Sequence, residues 1–275
     1  MELTIYQVDA FTSELFGGNP AAVVPLEDWL DDETMQRIAA ENNLSETAFF
    51  VGSDGKYDIR WFTPTMEVNL CGHATLASAH VIFTELNLQG DRIDFHSDKS
   101  GALGVERCGG RLILDFPAYT ITEIASDDAL AHALDKVPVN VWSAINNGVM
   151  VRLETERDVR ELEPDFSALA QLGYERVYVT APGNSSDLAS RMFAPKIGIN
   201  EDPVTGAMHC TLVPYWAGEL GKNELFARQV SKRGGELFCE LVGDRVKIGG
   251  NAVTYLKGEI FVATDMPQAA SFKGA

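Results

Sequence analysis

Arg60-Trp61-Phe62-Thr63-Pro64 runs, seven residues past its proline, into Cys71-Gly72-His73-Ala74-Thr75. Arg191-Met192-Phe193-Ala194-Pro195 runs, again seven residues past its proline, into Asp202-Pro203-Val204-Thr205-Gly206. Each copy reads as a short strand closed by Pro, then a loop, then a glycine turn that opens a helix. A repeat of about 130 residues is far longer than a solenoid unit. It implies two like domains whose matching turns meet at their interface, a preferred place for a small-molecule site.

Around these turns one order of elements occurs twice. Leu3–Val8 alternates as a strand does, Phe16–Pro20 is a turn, and Ala21–Val24 is a second strand. Asp31 or Asp32 is placed to cap a helix carrying Met35, Ile38 and Ala39 on one face, and Asn42-Asn43 ends it. Strands are predicted from Ser45 to Val51 and near Tyr57–Phe62, Arg92–His96, Gly104–Arg107 and Arg111–Phe116. In the second half Val139–Ile145 is a strand and Asn146-Asn147-Gly148 a turn. Asp165 caps a short helix that Gly173 ends, and Glu175–Val179 is a strand. Ser97–Leu103 is answered by Ser231–Leu237. Apolar periodicity lapses over Pro117–Ala129. The predicted domains are therefore 1–120 and 121–257, with 258–275 returning to the first.

Ala74–Phe83 and Gly206–Ala217 are almost uncharged on every side. A helix apolar all round is buried. Many short strands about such a helix predict an α+β fold. Each pseudo-symmetric half would be a curled, mostly antiparallel, barrel-like sheet wrapped on a central helix.

The chain has 275 residues, 45% hydrophobic and 23% charged, ordinary values for a globular protein. No apolar run approaches the roughly 18 residues of a membrane span. The start, Met1-Glu2-Leu3-Thr4, carries no basic n-region, so no signal peptide is expected. The formal net charge of −18 repels nucleic acid and anionic membrane alike, and neither is an expected partner. Cys71, Cys108, Cys210 and Cys239 form no CxxC, which reads as reduced thiols in a cytoplasmic protein. The five histidines show no metal-ligand spacing, so no metal is expected.

Helix N-termini carry unpaired N–H groups and about half a positive charge, which attract carboxylates. Two such ends, at Gly72-His73 and Thr205-Gly206, converge if the domains face each other. A small carboxylate-bearing substrate fits there. The alternative, that these glycines only permit close packing, stays open. Asp202 is either an N-cap or a cleft carboxylate. His73 is either a capping residue or a cleft group, and Cys71 either a small buried hydrophobe or a reactive thiol. Glu46 enters the apolar run Thr47-Ala48-Phe49-Phe50. If desolvated there it has a raised pKa and suits proton transfer; if it faces water it is only a strand-edge charge.

Beyond these readings, the chain resembles the PhzF-like (phenazine biosynthesis) family of the diaminopimelate-epimerase-like superfamily. The residues that carry the resemblance are Asp9–Thr12, Gly17–Val23, Leu44–Phe49, Arg60–Pro64, Leu70–Leu76 and Glu201–Gly206, in the family order. The resemblance implies a cleft between two pseudo-symmetric domains and cofactor-free isomerisation by proton transfer, the activity of an EC 5 enzyme. It implies Glu46, His73 and Asp202 as catalytic residues. Asn19, Ser45, Cys71, Gly72, Thr205, Gly206 and Ala207 are then expected to line the substrate site, with no cofactor and no metal. A second copy of the chain, as a homodimer, is the one protein partner it brings into view. Cys71 holds the position of one of the two thiols of the superfamily's racemases, and Asp202 is read at the position of the other. That pairing excludes a symmetric two-thiol racemisation. An epimerase working through Cys71 and a catalytically silent scaffold are the competing readings. Family members acting on the phenazine precursor tend to carry Ser where this chain has Ala207, which argues against dihydrohydroxyanthranilate as substrate.

Overall fold

The computed structural model describes residues 1–262 of the chain. The first half contains β1 (Glu2–Ala10), β2 (Asn19–Leu26), α1 (Asp32–Asn42), β3 (Glu46–Ser53), β4 (Lys56–Phe62), β5 (Glu67–Val68), α2 (Gly72–Thr84), β6 (Arg92–Ser97), β7 (Gly101–Cys108) and β8 (Arg111–Pro117). A short β9 (Thr122–Ile124) and α3 (Asp128–Leu134) lead into the second half. There follow β10 (Asn140–Ala144), β11 (Gly148–Arg152), α4 (Glu156–Arg160), α5 (Phe166–Gln171), β12 (Arg176–Pro182), β13 (Leu188–Ala194), β14 (Ile199–Asp202) and α6 (Gly206–Leu220). The described chain closes with β15 (Glu224–Gln229), β16 (Gly235–Val242), β17 (Arg245–Gly250) and β18 (Ala252–Phe261).

Local chemistry accounts for the boundaries. Asp31 caps α1 by accepting from the Thr34 N–H, and Asn43 ends it in the left-handed conformation that Asn tolerates. Asp165 caps α5 through two N–H groups. Asn146 and Asn147 both take positive φ in the turn between β10 and β11, as expected for Asn at a hairpin. The β9 strand lies inside Pro117–Ala129, where periodicity failed, because three residues are too few to show alternation.

The strands form one mixed sheet that does not close. Its order is β18-β1-β2-β3-β4-β6-β7-β8, then across to β17-β16-β15-β13-β12-β11-β10-β9. Most pairs are antiparallel; β2–β3, β4–β6, β11–β12 and β13–β15 are parallel. The halves are therefore two curls of one open sheet rather than two separate barrels. They join at β8–β17, where Leu114 stands opposite Ile248. Each half also lends its last strand to the other. β9 follows β8 yet pairs with β10, and β18 follows β17 yet pairs with β1. This return begins at Ala252, opposite Ala10, rather than at 258. Residues 263–275 of the predicted returning segment lie outside the described residues.

The apolar helices α2 and α6 sit in one core fed by both halves, including Phe11, Trp61, Phe95, Met150, Trp216 and Leu237. A smaller core lies under α1 (Val24, Met35, Phe49, Phe62) and another under α3 to α5 (Leu130, Val151, Leu169, Phe193). Phe11 wedges between the halves. A side chain at Gly250 would place its Cβ 2.4 Å from the Phe11 ring, so that position requires glycine.

Pairing registers correct the repeat as spelled by the prolines. Arg60 forks onto Glu67 and Arg191 onto Glu201, so Glu67 and Glu201 are equivalents. Val68 lies opposite Trp61, and Asp202 opposite Met192. Asp202 thus answers Val68, not Cys71. The true counterpart of Cys71 is Thr205, since these two are the N-caps of α2 and α6. The shift arises after Pro195, where a 3-10 turn, Pro195–Ile197, closes on Gly198 at φ 88. Likewise Ser97 pairs with Gly101 as Gln229 pairs with Gly235, so Ser97 answers Gln229 rather than Ser231.

Candidate active site

The two N-caps are bare. Neither Cys71 nor Thr205 makes a side-chain capping bond to its own helix. Thr75 and Ser78 fold their hydroxyls back onto carbonyls of α2 instead. Asn19, the first residue of β2, bridges the two helix starts. Its Nδ2 reaches Asp202 Oδ1 at 2.8 Å and the Val204 carbonyl at 2.9 Å, and lies 3.3 Å from His73 Nδ1. Gly18, at φ 61, delivers Asn19 to this place; a Cβ there would fall 2.1 Å from the Ala10 carbonyl. Arg233 of the second half clamps the turn from outside. It donates to the Gly17 and Gly18 carbonyls and to buried Asp9.

Cys71 Sγ sits 3.4 Å from His73 Nδ1. Asn19 Nδ2 spends its two protons on Asp202 and Val204 and can accept none, so Nδ1 is placed to accept from the Cys71 thiol and the ring proton is assigned to Nε2. His73 Nε2 is 3.2 Å from Glu46 Oε2, but the two are not aligned for a hydrogen bond. Three buried atoms of the cluster, Asn19 Oδ1, Glu46 Oε2 and His73 Nε2, consequently have no protein partner. A buried polar atom without a partner is costly, which is tolerated where a ligand completes it. Asp202 Oδ2 accepts from the Thr205 hydroxyl. Gln229, buried on β15, accepts from the Thr205 N–H at 2.8 Å and donates to the Asp202 carbonyl at 2.7 Å.

Burial sets the protonation states. Desolvation, with the Asp202 charge second, pushes Glu46 up to about 8. Asp202 is pushed up to about 6, again by burial, against the opposing hydrogen bonds of Thr205 and Asn19. Burial pushes His73 down to about 3. Burial and the neighbouring Glu46 charge push the Cys71 thiol well above its usual range. At neutral pH the cluster therefore holds a protonated Glu46, a neutral imidazole, an un-ionised thiol and a largely ionised Asp202. Two carboxyl groups whose environments force their pKa values apart can serve as acid and base.

Asn19, Glu46, Cys71, His73, Asp202 and Thr205 thus form one cluster. Gly72 and Gly206 are the first residues of α2 and α6, and a Cβ on either would come no closer than 3.8 Å to a neighbour, the Phe116 ring and the Phe11 ring respectively. Ser45 is half-buried and Ala207 exposed beside the cluster. Asp202 is not the N-cap that one reading of the sequence allowed; it reaches the site from the end of β14. Gln229 was missed. Its signal was a polar residue at an inward position of the alternating run Leu225–Gln229. Among the described residues, Glu46, Cys71 and His73 bring metal-ligating atoms within 4.8 Å of one another. A cation there would have to displace the protons of both Glu46 and Cys71.

The chain is similar to known proteins along nearly its whole length. The phenazine biosynthesis-like protein family model, PhzC-PhzF, matches residues 8–258. The chain belongs to the PhzF family. An uncharacterized isomerase of Pseudomonas aeruginosa is 53% identical to it over 260 residues, spanning 94% of this chain and 99% of that one. A human phenazine biosynthesis-like domain-containing protein is 38% identical over 94% of this chain and 99% of its own length. The crystal structure of a PhzF-family protein from Enterococcus faecalis superposes with a TM-score of 0.92 at 45% identity, covering 95% of this chain and 100% of that one. A hydroxyproline epimerase from Agrobacterium vitis, 9% identical, superposes with a TM-score of 0.58 over 94% of this chain and 92% of its own, a likeness of fold. Among the described residues no helix is long and apolar enough to cross a membrane.

Proposed function

We propose that this PhzF-family protein is a cofactor-independent isomerase that moves a proton, and with it a double bond, on a small carboxylate-bearing metabolite. The observation that carries this reading is one buried cluster in which Asn19 bridges Asp202 and His73 and the Glu46 carboxyl lies 3.2 Å from His73 Nε2, with Glu46 protonated and Asp202 ionised. The uncapped starts of α2 and α6 offer N–H groups and positive helix ends to the substrate carboxylate. Glu46 gives its proton to one carbon of the conjugated system. Its carboxylate then takes a proton from the carbon two positions along, so that the double bond moves by one place. One C–H bond forms, one breaks, the double bond shifts, and Glu46 ends as it began. His73 Nε2 lies 3.2 Å from Glu46 Oε2, and a small realignment of its N–H would steady that carboxylate while the proton is away. Asp202 orients the substrate on the opposite side.

An epimerase working through Cys71 is disfavoured by two observations. The thiol is held un-ionised, and its counterpart in the second half is Thr205, which is no acid or base. The test begins with a thermal-shift screen of carboxylate metabolites, since a ligand that binds only the native state raises apparent stability. The hits are then turned over in D2O. The proposal expects one deuterium at the newly formed C–H together with a change in ultraviolet absorbance. Exchange at an amino-acid Cα with no absorbance change would overturn it.

A further inference from the structure

The two helix starts are secured in different ways. At α2, Thr75 bonds back to the Cys71 carbonyl, and the strand-end residue Ser97 does not touch the N-cap. At α6, the strand-end residue Gln229 takes hold of the turn. Its Oε1 accepts from the Thr205 N–H at 2.8 Å, and its Nε2 donates to the Asp202 carbonyl at 2.7 Å and to Thr205 Oγ1 at 3.3 Å. These partners fix the amide orientation, because an N–H must meet Oε1 and a carbonyl must meet Nε2. They also fix the Thr205 hydroxyl: with its oxygen accepting from Gln229, its proton is directed at Asp202 Oδ2. Gln229 is 1% exposed and touches none of Glu46, Cys71 or His73 through a hydrogen bond.

We propose that Gln229 is a positioning residue for Asp202, acting through the Thr205 N-cap, whose own N–H it holds while the first N–H groups of α6 stay free. Main chain and carboxylate of Asp202 are thereby held by one relay, with Asn19 holding the other carboxylate oxygen. The position lies on the wall of a cavity of about 420 Å³ between the loops Thr12–Gly17 and Val230–Glu236. The inference rests on the isomerase reading only for its kinetic consequence; the placement of the Asp202 carboxylate is independent of any reaction.

The test is a ¹³C titration of the Asp202 carboxyl in the full chain. Other titrating or charged groups act on it and are unchanged by the variants: Glu46 on β3, Cys71 at α2, neighbouring Glu201, and Arg176 and Tyr178 on β12. Gln229→Leu should raise the Asp202 midpoint by about half a pH unit or more, because the hydroxyl that favours the carboxylate is released. Thr205→Val should do the same, and the double variant should add little to either single one. Gln229→Glu covers the case in which the leucine variant does not fold. A protonated Glu can keep the bonds to the Thr205 N–H and to the Asp202 carbonyl and loses only the longer one to Thr205 Oγ1, so this variant should stay near the parent in acid and depart from it once its new carboxyl ionises. For an identified substrate, Gln229→Leu should lower kcat and move its pH profile with little change in KM. An Asp202 midpoint unmoved in Gln229→Leu, with only the melting temperature lowered, would make Gln229 a packing residue. A Gln229→Glu titration superposable on the parent from acid to alkaline pH would do so as well. If the titrations move but no carboxylate is isomerised, the isomerase reading fails while the positioning role stands.

Discussion

The starts of α2 and α6 occupy matching places in two halves that meet at Leu114 and Ile248, yet they carry different chemistry. The first presents Cys71 and His73, both uncharged, with Glu46 in front of them. The second presents Thr205, tied to Asp202 and to Gln229. The frame is duplicated down to the partly buried Arg–Glu pairs behind each turn, Arg60–Glu67 and Arg191–Glu201. The proton-handling groups are not duplicated. A symmetric pair would give two equivalent acids or bases, as a racemase needs. The asymmetry instead gives one carboxyl that holds its proton at neutral pH and one that has released it.

Replacing the proton carrier should break this comparison most severely. Glu46→Gln is nearly isosteric and should keep the fold and substrate binding, yet lower turnover by roughly 10²–10⁴-fold, the usual worth of a positioned acid or base. Single-turnover kinetics beside circular dichroism checks this, and a wild-type rate would reduce Glu46 to a strand-edge charge. The Arg–Glu pairs test whether the frame itself is equivalent. Arg191 is 11% exposed and also donates to the Val159 and Leu162 carbonyls. Arg60 is 24% exposed and shares its charge between Glu67 and the exposed Asp32. Arg191→Met should therefore cost about 3–5 kcal/mol, as breaking a buried pair does, and Arg60→Met about 1–2 kcal/mol. Denaturant unfolding of both variants would show a false equivalence if the two costs were equal.

The carboxyl pair also predicts how stability varies with pH. Glu46 has a folded pKa of about 8, above its unfolded value of 4.5, so the folded state binds the extra proton between those limits. Stability is then highest on the acid side of that window and falls as pH rises through it. Glu46→Gln should remove this fall. The variant should be more stable than the parent by roughly 2–4 kcal/mol in alkaline solution, with the difference vanishing near the unfolded pKa. His73 works in the opposite sense. Its folded pKa of about 3 lies below 6.5, so it costs stability as pH drops through that interval, in the parent and in Glu46→Gln alike. Urea unfolding of the two proteins across pH separates the contributions. The smallest expected effect belongs to Cys71→Ser, which should leave activity within about tenfold, since a thiol held un-ionised does not carry the proton. A loss of several orders of magnitude would favour the epimerase reading.

Much of this was legible in the chain before any coordinates. The two apolar helices and the strand periodicities dictated a sheet curled about buried helices, because burial on every face leaves a distinct composition. Asp31, Asn43 and Asp165 could be assigned as caps because their chemistry is local. The equivalence of Cys71 with Asp202 misled, because a spacing counted from proline cannot see the 3-10 turn after Pro195. That the returning strand β18 begins at Ala252 and not at 258 was hidden for a related reason. Which edge a terminal strand joins is decided by tertiary pairing and not by its own pattern. Glu46 could have faced water or the core on periodicity alone; its burial against His73 and Cys71 required the fold. Gln229 escaped because its role depends on two groups more than twenty residues before it in sequence.

The central claim, that matching turns hold two carboxyl groups in opposite protonation states, can be measured without knowing any substrate. Carbon-13 titration of the side-chain carboxyls, assigned with Glu46→Gln and Asp202→Asn, reads both sites in the free protein. The account predicts two separated steps, the lower near 6 lost in Asp202→Asn and the upper near 8 lost in Glu46→Gln. A Glu46 carboxyl that titrates in the ordinary range near 4.5, with Asp202 below it, would contradict the claim.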